Sequence, residues 1–102
     1  VTQIKFFDDL LPAIISGQKT ITIRSLSGLK YLPGSCVQVI SQTTGLCVCE
    51  IKIISVEAIL FSQINDSHAR REQMTLTDLK NLIAQIYPDT EQLSLISFKL
   101  LA

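Results

Sequence analysis

Hydrophobic positions along this chain fall in short blocks whose spacing switches between a helical and an extended period. Leu10, Leu11, Ile14 and Ile15 recur at helical spacing behind Asp8 and Asp9, and Gly17 can take the positive φ that closes a helix, so a short helix is predicted there. Pro12 is compatible with it, because three residues past a cap at Asp9 its missing N–H would have had no intrahelical partner. Residues 19–24 then alternate isoleucine with threonine and arginine, the pattern of a half-buried strand with a polar face. Residues 25–34 are rich in turn formers and stand just beyond Arg24, where they could rim a pocket. Residues 36–41 and 46–56 read as two strands joined through Gln42, Thr43, Thr44 and Gly45 in a hairpin. In the second strand Cys47, Cys49, Ile51 and Ile53 share one face while Leu46, Val48 and Glu50 share the other. Both faces are expected to be largely covered, as in a closed or partly closed barrel.

From Asn65 the period turns helical again. Asn65 or Ser67 can cap a short segment running through His68 and Glu72, which are then i, i+4 neighbours. Thr75 with Asp78 makes a capping-box-like start for a longer helix whose apolar stripe is Leu79, Leu82, Ile83 and Ile86. Pro88 ends it at Tyr87. A last strand is expected over residues 93–101, apolar on both faces. These elements make an α+β class domain, and at 102 residues a single one, spanning 1–102.

Composition narrows the functional classes. Hydrophobic residues make up 47% of the chain, enough for a densely packed core and against disorder. No apolar run approaches the roughly 18 residues of a membrane span, and the N-terminal pattern is not that of a secretion signal, so a cytoplasmic location with no membrane partner is expected. Nine basic and nine acidic side chains cancel, so no long-range field gathers nucleic acid, and any RNA affinity must come from a local patch. The three cysteines, Cys36, Cys47 and Cys49, do not suggest a disulfide framework, and with the only histidine far away they lack metal-ligand spacing. Buried free thiols are expected. Without a metal cluster or a glycine-rich phosphate loop, no cofactor is implied.

The chemistry-bearing stretch is Gly17-Gln18-Lys19-Thr20-Ile21-Thr22-Ile23-Arg24, which places an amine, two hydroxyls and a guanidinium at one strand entrance. A neutral lysine beside a hydroxyl is a base and nucleophile pair, and a guanidinium can hold a polar substrate. The competing reading is a solvated strand face. Catalysis requires Lys19 to be desolvated, and it requires Lys19 to sit in the bend after Gly17, since on a regular strand Lys19 and Thr22 point to opposite sides. His68 could orient Glu72 or bind substrate, or else serve as a local backbone partner. Arg70 and Arg71 are expected to be solvated, and Tyr87 and Phe61 to be packing residues.

Taken together, the segment from Gly17 to Arg24, His68-Ala69 with Glu72, Met74 to Lys80, Ile86-Tyr87-Pro88 and Phe98-Lys99 resemble the small bacterial ASCH-domain proteins that are N(4)-acetylcytidine amidohydrolases. The blocks match in order and at similar spacing over nearly the whole chain, more weakly between Ser25 and Ile64. The resemblance implies a PUA-like mixed β-barrel with helices packed around it. It implies hydrolysis of the acetamide on the exocyclic amine of acetylated cytidine, a small-molecule nucleoside substrate, to cytidine and acetate. It also places Lys19, Thr22 and Glu72 on the catalytic triad, with Arg24 in a supporting, substrate-binding role. Two arrangements stay open. Lys19 deprotonates Thr22 while Glu72 shuttles a proton to the leaving amine, the favoured order, or Glu72 is the base and Lys19 stabilises the oxyanion. Outside catalysis, the same fold could serve as an RNA-binding module or a structural partner. No sequence feature fixes an oligomeric state.

Overall fold

The computed structural model describes residues 2–101. Five strands form one mixed sheet: β1 (Gln3–Phe6), β2 (Ile21–Ser25), β3 (Cys36–Ser41), β4 (Cys47–Leu60) and β5 (Gln92–Leu100), in the order β1-β3-β4-β5-β2. Three helices complete the α+β fold: α1 (Leu11–Ile15), α2 (Asp66–Arg71) and α3 (Leu76–Ile86). β1 runs parallel to β3, and every other pairing is antiparallel.

β4 is the spine of the sheet. Its 14 residues pair with β3 through their first half and with β5 over most of their length. A register shift between Ile53 and Ser55 lets so long a strand bend. Alternation along β5 sends Leu93 and Leu95 into one apolar cluster, shared with Ile21, Ile23, Leu79 and Ile83. Ile96 and Phe98 enter the other, with Ile4, Phe6, Val39 and Ile53. β5 is therefore apolar on both faces, as its sequence predicts.

The hairpin, α2, α3 and β5 lie where the spacing predicts them. The Thr75 side chain accepts from Asp78 N–H at 3.1 Å to start α3, and Gly45 takes φ 74° in the β3–β4 turn. Several expectations are corrected. β1 has no counterpart in the sequence reading: Ile4 and Phe6 alternate with polar residues, but four residues are too short to signal a strand. Asp9 does not cap α1, because it lies inside a 3-10 turn, Asp8–Leu10, that precedes the helix. The Asp8 carboxylate accepts from Ser41 Oγ at 2.7 Å and tethers the β3 end, and α1 begins without a side-chain cap.

The face of β4 carrying Val48 and Glu50, together with Leu46 just before the strand, is exposed, because no helix covers it. The cysteines are free but not buried: Cys36 and Cys47 are exposed at the first positions of β3 and β4, and Cys49 is half-buried against the edge of the core. The barrel is not closed: β1 and β2 end the sheet and do not pair with each other.

Candidate active site

The unclosed seam between β1 and β2 is where the polar chemistry collects. Gly17, at φ 81°, turns the chain out of α1, and the N–H groups of Gln18 and Lys19 both donate back to Ala13 O at 3.0 Å. The strand starts only at Ile21, so Lys19 lies in the bend and escapes the opposite-face problem that a continuous strand would create. Thr20 is pinned on two sides. Its N–H donates to Arg71 O at 3.1 Å, and its Oγ1 accepts from Arg71 Nε at 3.0 Å. That joint brings the end of α2 against the bend and sets Glu72 against Lys19.

Lys19, Thr22 and Glu72 are 2%, 6% and 6% exposed. Lys19 Nζ donates to Ile21 O at 2.8 Å and forms an ion pair with Glu72 Oε1, which has no hydrogen-bond partner apart from that contact. Burial, and secondarily the Arg24 charge, lower the Lys19 pKa from 10.5 to about 7. Glu72 pulls the other way. A proton at this locus is therefore held between an amine that burial makes weakly basic and a carboxylate with nothing else to bind.

Arg24 follows Thr22 by two residues on the same strand face. Its Nε donates to Thr22 Oγ1 at 3.2 Å, its Nη2 donates to Lys5 O, and its guanidinium lies 4.7 Å from the centre of the Phe6 ring. The two edge strands thus meet through this side chain and not through a backbone ladder. Burial lowers the Arg24 pKa, with Tyr87 and Tyr31 acting in the opposite direction.

The seam opens into a cavity of about 160 Å³ whose polar floor is Lys19, Thr22, Arg24 and Glu72. Its wall is apolar, including Leu82 and Ile86 from α3, Tyr87 at the C-cap of that helix and Phe7 beyond β1. Tyr87 therefore faces the site, not only the packing. Phe7 and Lys5 are lining residues that the sequence reading missed, because β1 was not recognised. All four residues of the α3 stripe, Leu79, Leu82, Ile83 and Ile86, line the cavity too, a role that apolar periodicity cannot distinguish from core packing.

His68 does not reach the cavity lining. Its Nδ1 accepts from Asn65 N–H at 3.1 Å, while Asn65 Oδ1 accepts from Ser67 N–H at 2.9 Å, so the two side chains cap α2 reciprocally. Burial and the Arg71 charge lower the His68 pKa, with Glu57 opposing. Among the described residues no group of three or more His, Cys, Asp or Glu side chains could hold a metal ion.

Comparison with known proteins places this geometry in a lineage. A family model described as the ASCH domain matches residues 2–100. The chain belongs to the ASCH domain family. An N(4)-acetylcytidine amidohydrolase of Vibrio cholerae serotype O1 (strain M66-2) is 48% identical over 99 residues, covering 97% of this chain and 94% of that protein. One of Vibrio parahaemolyticus is 47% identical over 100 residues, covering 98% and 94%. Among solved structures, a protein from Enterococcus faecalis V583 superposes with a TM-score of 0.78 at 21% identity, covering 99% of this chain and 76% of that one. An ASCH domain from Lactobacillus crispatus superposes at 0.75 with 17% identity, covering 97% and 79%. At those identities the structural likenesses establish the fold alone. They agree with the α+β architecture described above.

Proposed function

We propose that this ASCH-domain protein is an amidohydrolase that removes the acetyl group from N(4)-acetylcytidine, releasing cytidine and acetate. The observation that carries the reading is a buried lysine, threonine and glutamate gathered at one cavity floor, in a chain nearly half identical to amidohydrolases of that name. An amide is a poor electrophile and a hydroxyl a poor nucleophile, so the site must supply a base, and a lysine with a pKa near 7 is one at neutral pH.

In this reading Lys19 Nζ takes the Thr22 hydroxyl proton as Oγ1 bonds to the acetyl carbon. The tetrahedral intermediate collapses with cleavage of the C–N bond, and the proton returns by way of Glu72 to the exocyclic nitrogen, giving cytidine and an acetyl ester on Thr22. Water, deprotonated by the same pair, then hydrolyses the ester to acetate and restores the threonine. The opposite arrangement has Glu72 as base and Lys19 stabilising the oxyanion; burial of Lys19, which opposes a permanent charge on the amine, favours the first order, and the Glu72 contact opposes it.

The cavity volume supports a small substrate. Sites for whole drug-sized ligands run to about 300–1,000 Å³, so about 160 Å³ suits the acetamide and pyrimidine ring with the sugar at the mouth. With zero formal net charge, a free nucleoside fits better than RNA, and RNA binding is the competing outcome. Free thiols at the surface suit a reducing, cytoplasmic setting.

The test is incubation with N(4)-acetylcytidine, with chromatography of cytidine and acetate, beside Thr22→Ala, Lys19→Met and Glu72→Gln variants checked for folding. Turnover that falls by about 10²-fold or more in each folded variant is expected. A folded parent that hydrolyses no acylated cytosine derivative would overturn the reading.

A further inference from the structure

Arg24 was expected to hold substrate, yet its hydrogen bonds point elsewhere. Nε is committed to Thr22 Oγ1 and Nη2 to the Lys5 carbonyl on the opposite edge strand, while Phe6 lies against the guanidinium. No carboxylate forms an ion pair with it among the described residues. Even a half-buried guanidinium is costly to leave without a counter-charge, and a salt bridge would be the usual remedy. Here the charge is spent on a hydroxyl and a carbonyl. A threonine hydroxyl has one hydrogen and two lone pairs. Once Nε–H occupies a lone pair, the hydrogen must point away from the guanidinium, free to be given up.

We propose that Arg24 is the positioning residue of this site: moored across the open seam on the Lys5 carbonyl, it fixes the Thr22 hydroxyl so that its proton is presented for removal. The proposal rests on the reading of Thr22 as nucleophile. It explains why the arginine sits two residues after the threonine, the spacing that puts both on one face of the edge strand. It also explains why Arg24 spans the unclosed seam: a guanidinium attached to β2 alone could swing with its own strand, whereas one tied to β1 as well cannot. The same positive charge acts on Lys19 and opposes its protonation. One side chain thereby orients the nucleophile and keeps its neighbouring amine from being permanently charged.

The experiment compares the whole protein with Arg24→Ala and Arg24→Lys on N(4)-acetylcytidine, with thermal melting as the check on folding. The expected result is a loss of about 10²-fold or more in kcat, the scale of one preorganised donor, with KM changed less than about threefold, since the hydrogen bond is made to the enzyme and not to substrate. Added ethylguanidinium should restore kcat to Arg24→Ala and ethylammonium should not, because only the planar fork reaches both acceptors. Raised KM with kcat retained would make Arg24 a substrate ligand and overturn the proposal, as would loss in a folded Arg24→Ala that guanidinium does not mend.

A second measurement needs no arginine variant. In the parent the Arg24 Nε–H should be protected from solvent exchange by NMR, and Thr22→Val should abolish that protection. Protection unchanged in Thr22→Val would contradict the contact. Absence of turnover in the parent would count against the hydrolase reading itself, while this NMR result decides the Arg24–Thr22 contact independently.

Discussion

Lys19 decides the pH behaviour of the site. Lowered by burial and by Arg24 to about 7, its amine gains basicity as pH rises through that value, so kcat should climb from pH 6 to pH 8 and then level. A pH–rate profile that is flat across this range would contradict Lys19 as base. The same shift has a stability sign. The unfolded chain holds the Lys19 proton up to about 10.5 and the folded one only to about 7, so between these values the unfolded state binds more protons and folding stability rises with pH. Urea unfolding at pH 7 and pH 9 should show that rise, and the double variant Lys19→Met/Glu72→Gln should lose it.

His68 behaves differently from the triad, since its Nδ1 is engaged in capping α2. His68→Ala should cost about 0.5–2 kcal/mol of stability, the range for a lost helix cap, while KM for the nucleoside changes less than about twofold. A large KM increase at unchanged stability would instead put His68 in contact with substrate. Because its folded pKa is depressed, its contribution to stability is present above about 6.5 and is lost as pH falls below that value. Lys19, Thr22 and Arg24 of the candidate site were legible in the sequence because they stand in one short motif, whereas Glu72 lies far along the chain and entered through the family resemblance. That His68 caps was legible only as one of two options, because a histidine in a first turn can face either way.

At the scale of elements, the end of α2 governs where Glu72 sits. Met74 N–H donates to Ala69 O at 3.0 Å and Gln73 N–H to Arg70 O at 3.1 Å, a Schellman closure whose left-handed residue is Gln73 at φ 61°. A glycine is favoured in that position, so Gln73→Gly should stabilise the fold by up to about 1 kcal/mol, the left-handed penalty less the glycine entropy. Reduced stability in Gln73→Gly would show that the side chain contributes more than its backbone strain costs. Helices α2 and α3 could be read from their caps and stripe, and β3, β4 and β5 from their runs of strand-forming residues. β1 could not, because a four-residue edge strand gains its identity from pairing with β3 and not from its own pattern. Missing β1 also meant missing Lys5 and Phe6, and Phe7 just beyond it, as lining residues of the cavity.

For the whole molecule, the consequential difference from the expected barrel is that it stays open. Hydropathy shows that a strand is covered, not whether the sheet's two ends meet, so the seam was invisible in the sequence. Yet the seam is what leaves edge carbonyls of Ile21 and Lys5 for Lys19 and Arg24 to bind, and what gives substrate a way in. With no net charge to steer a polyanion, kcat/KM for the nucleoside should change little between about 50 and 200 mM salt, a range over which phosphate-binding proteins lose about 10³–10⁵ in affinity. A steep salt dependence would instead indicate RNA as the ligand.

The most direct test of the central claim, that Thr22 at the seam is the nucleophile, is mass spectrometry of acid-quenched protein mixed with N(4)-acetylcytidine during turnover, beside Thr22→Ala. The account predicts one acetyl group on Thr22 in the parent, and in the folded Thr22→Ala variant neither the adduct nor turnover. Hydrolysis persisting at near-parental rate in Thr22→Ala would contradict it.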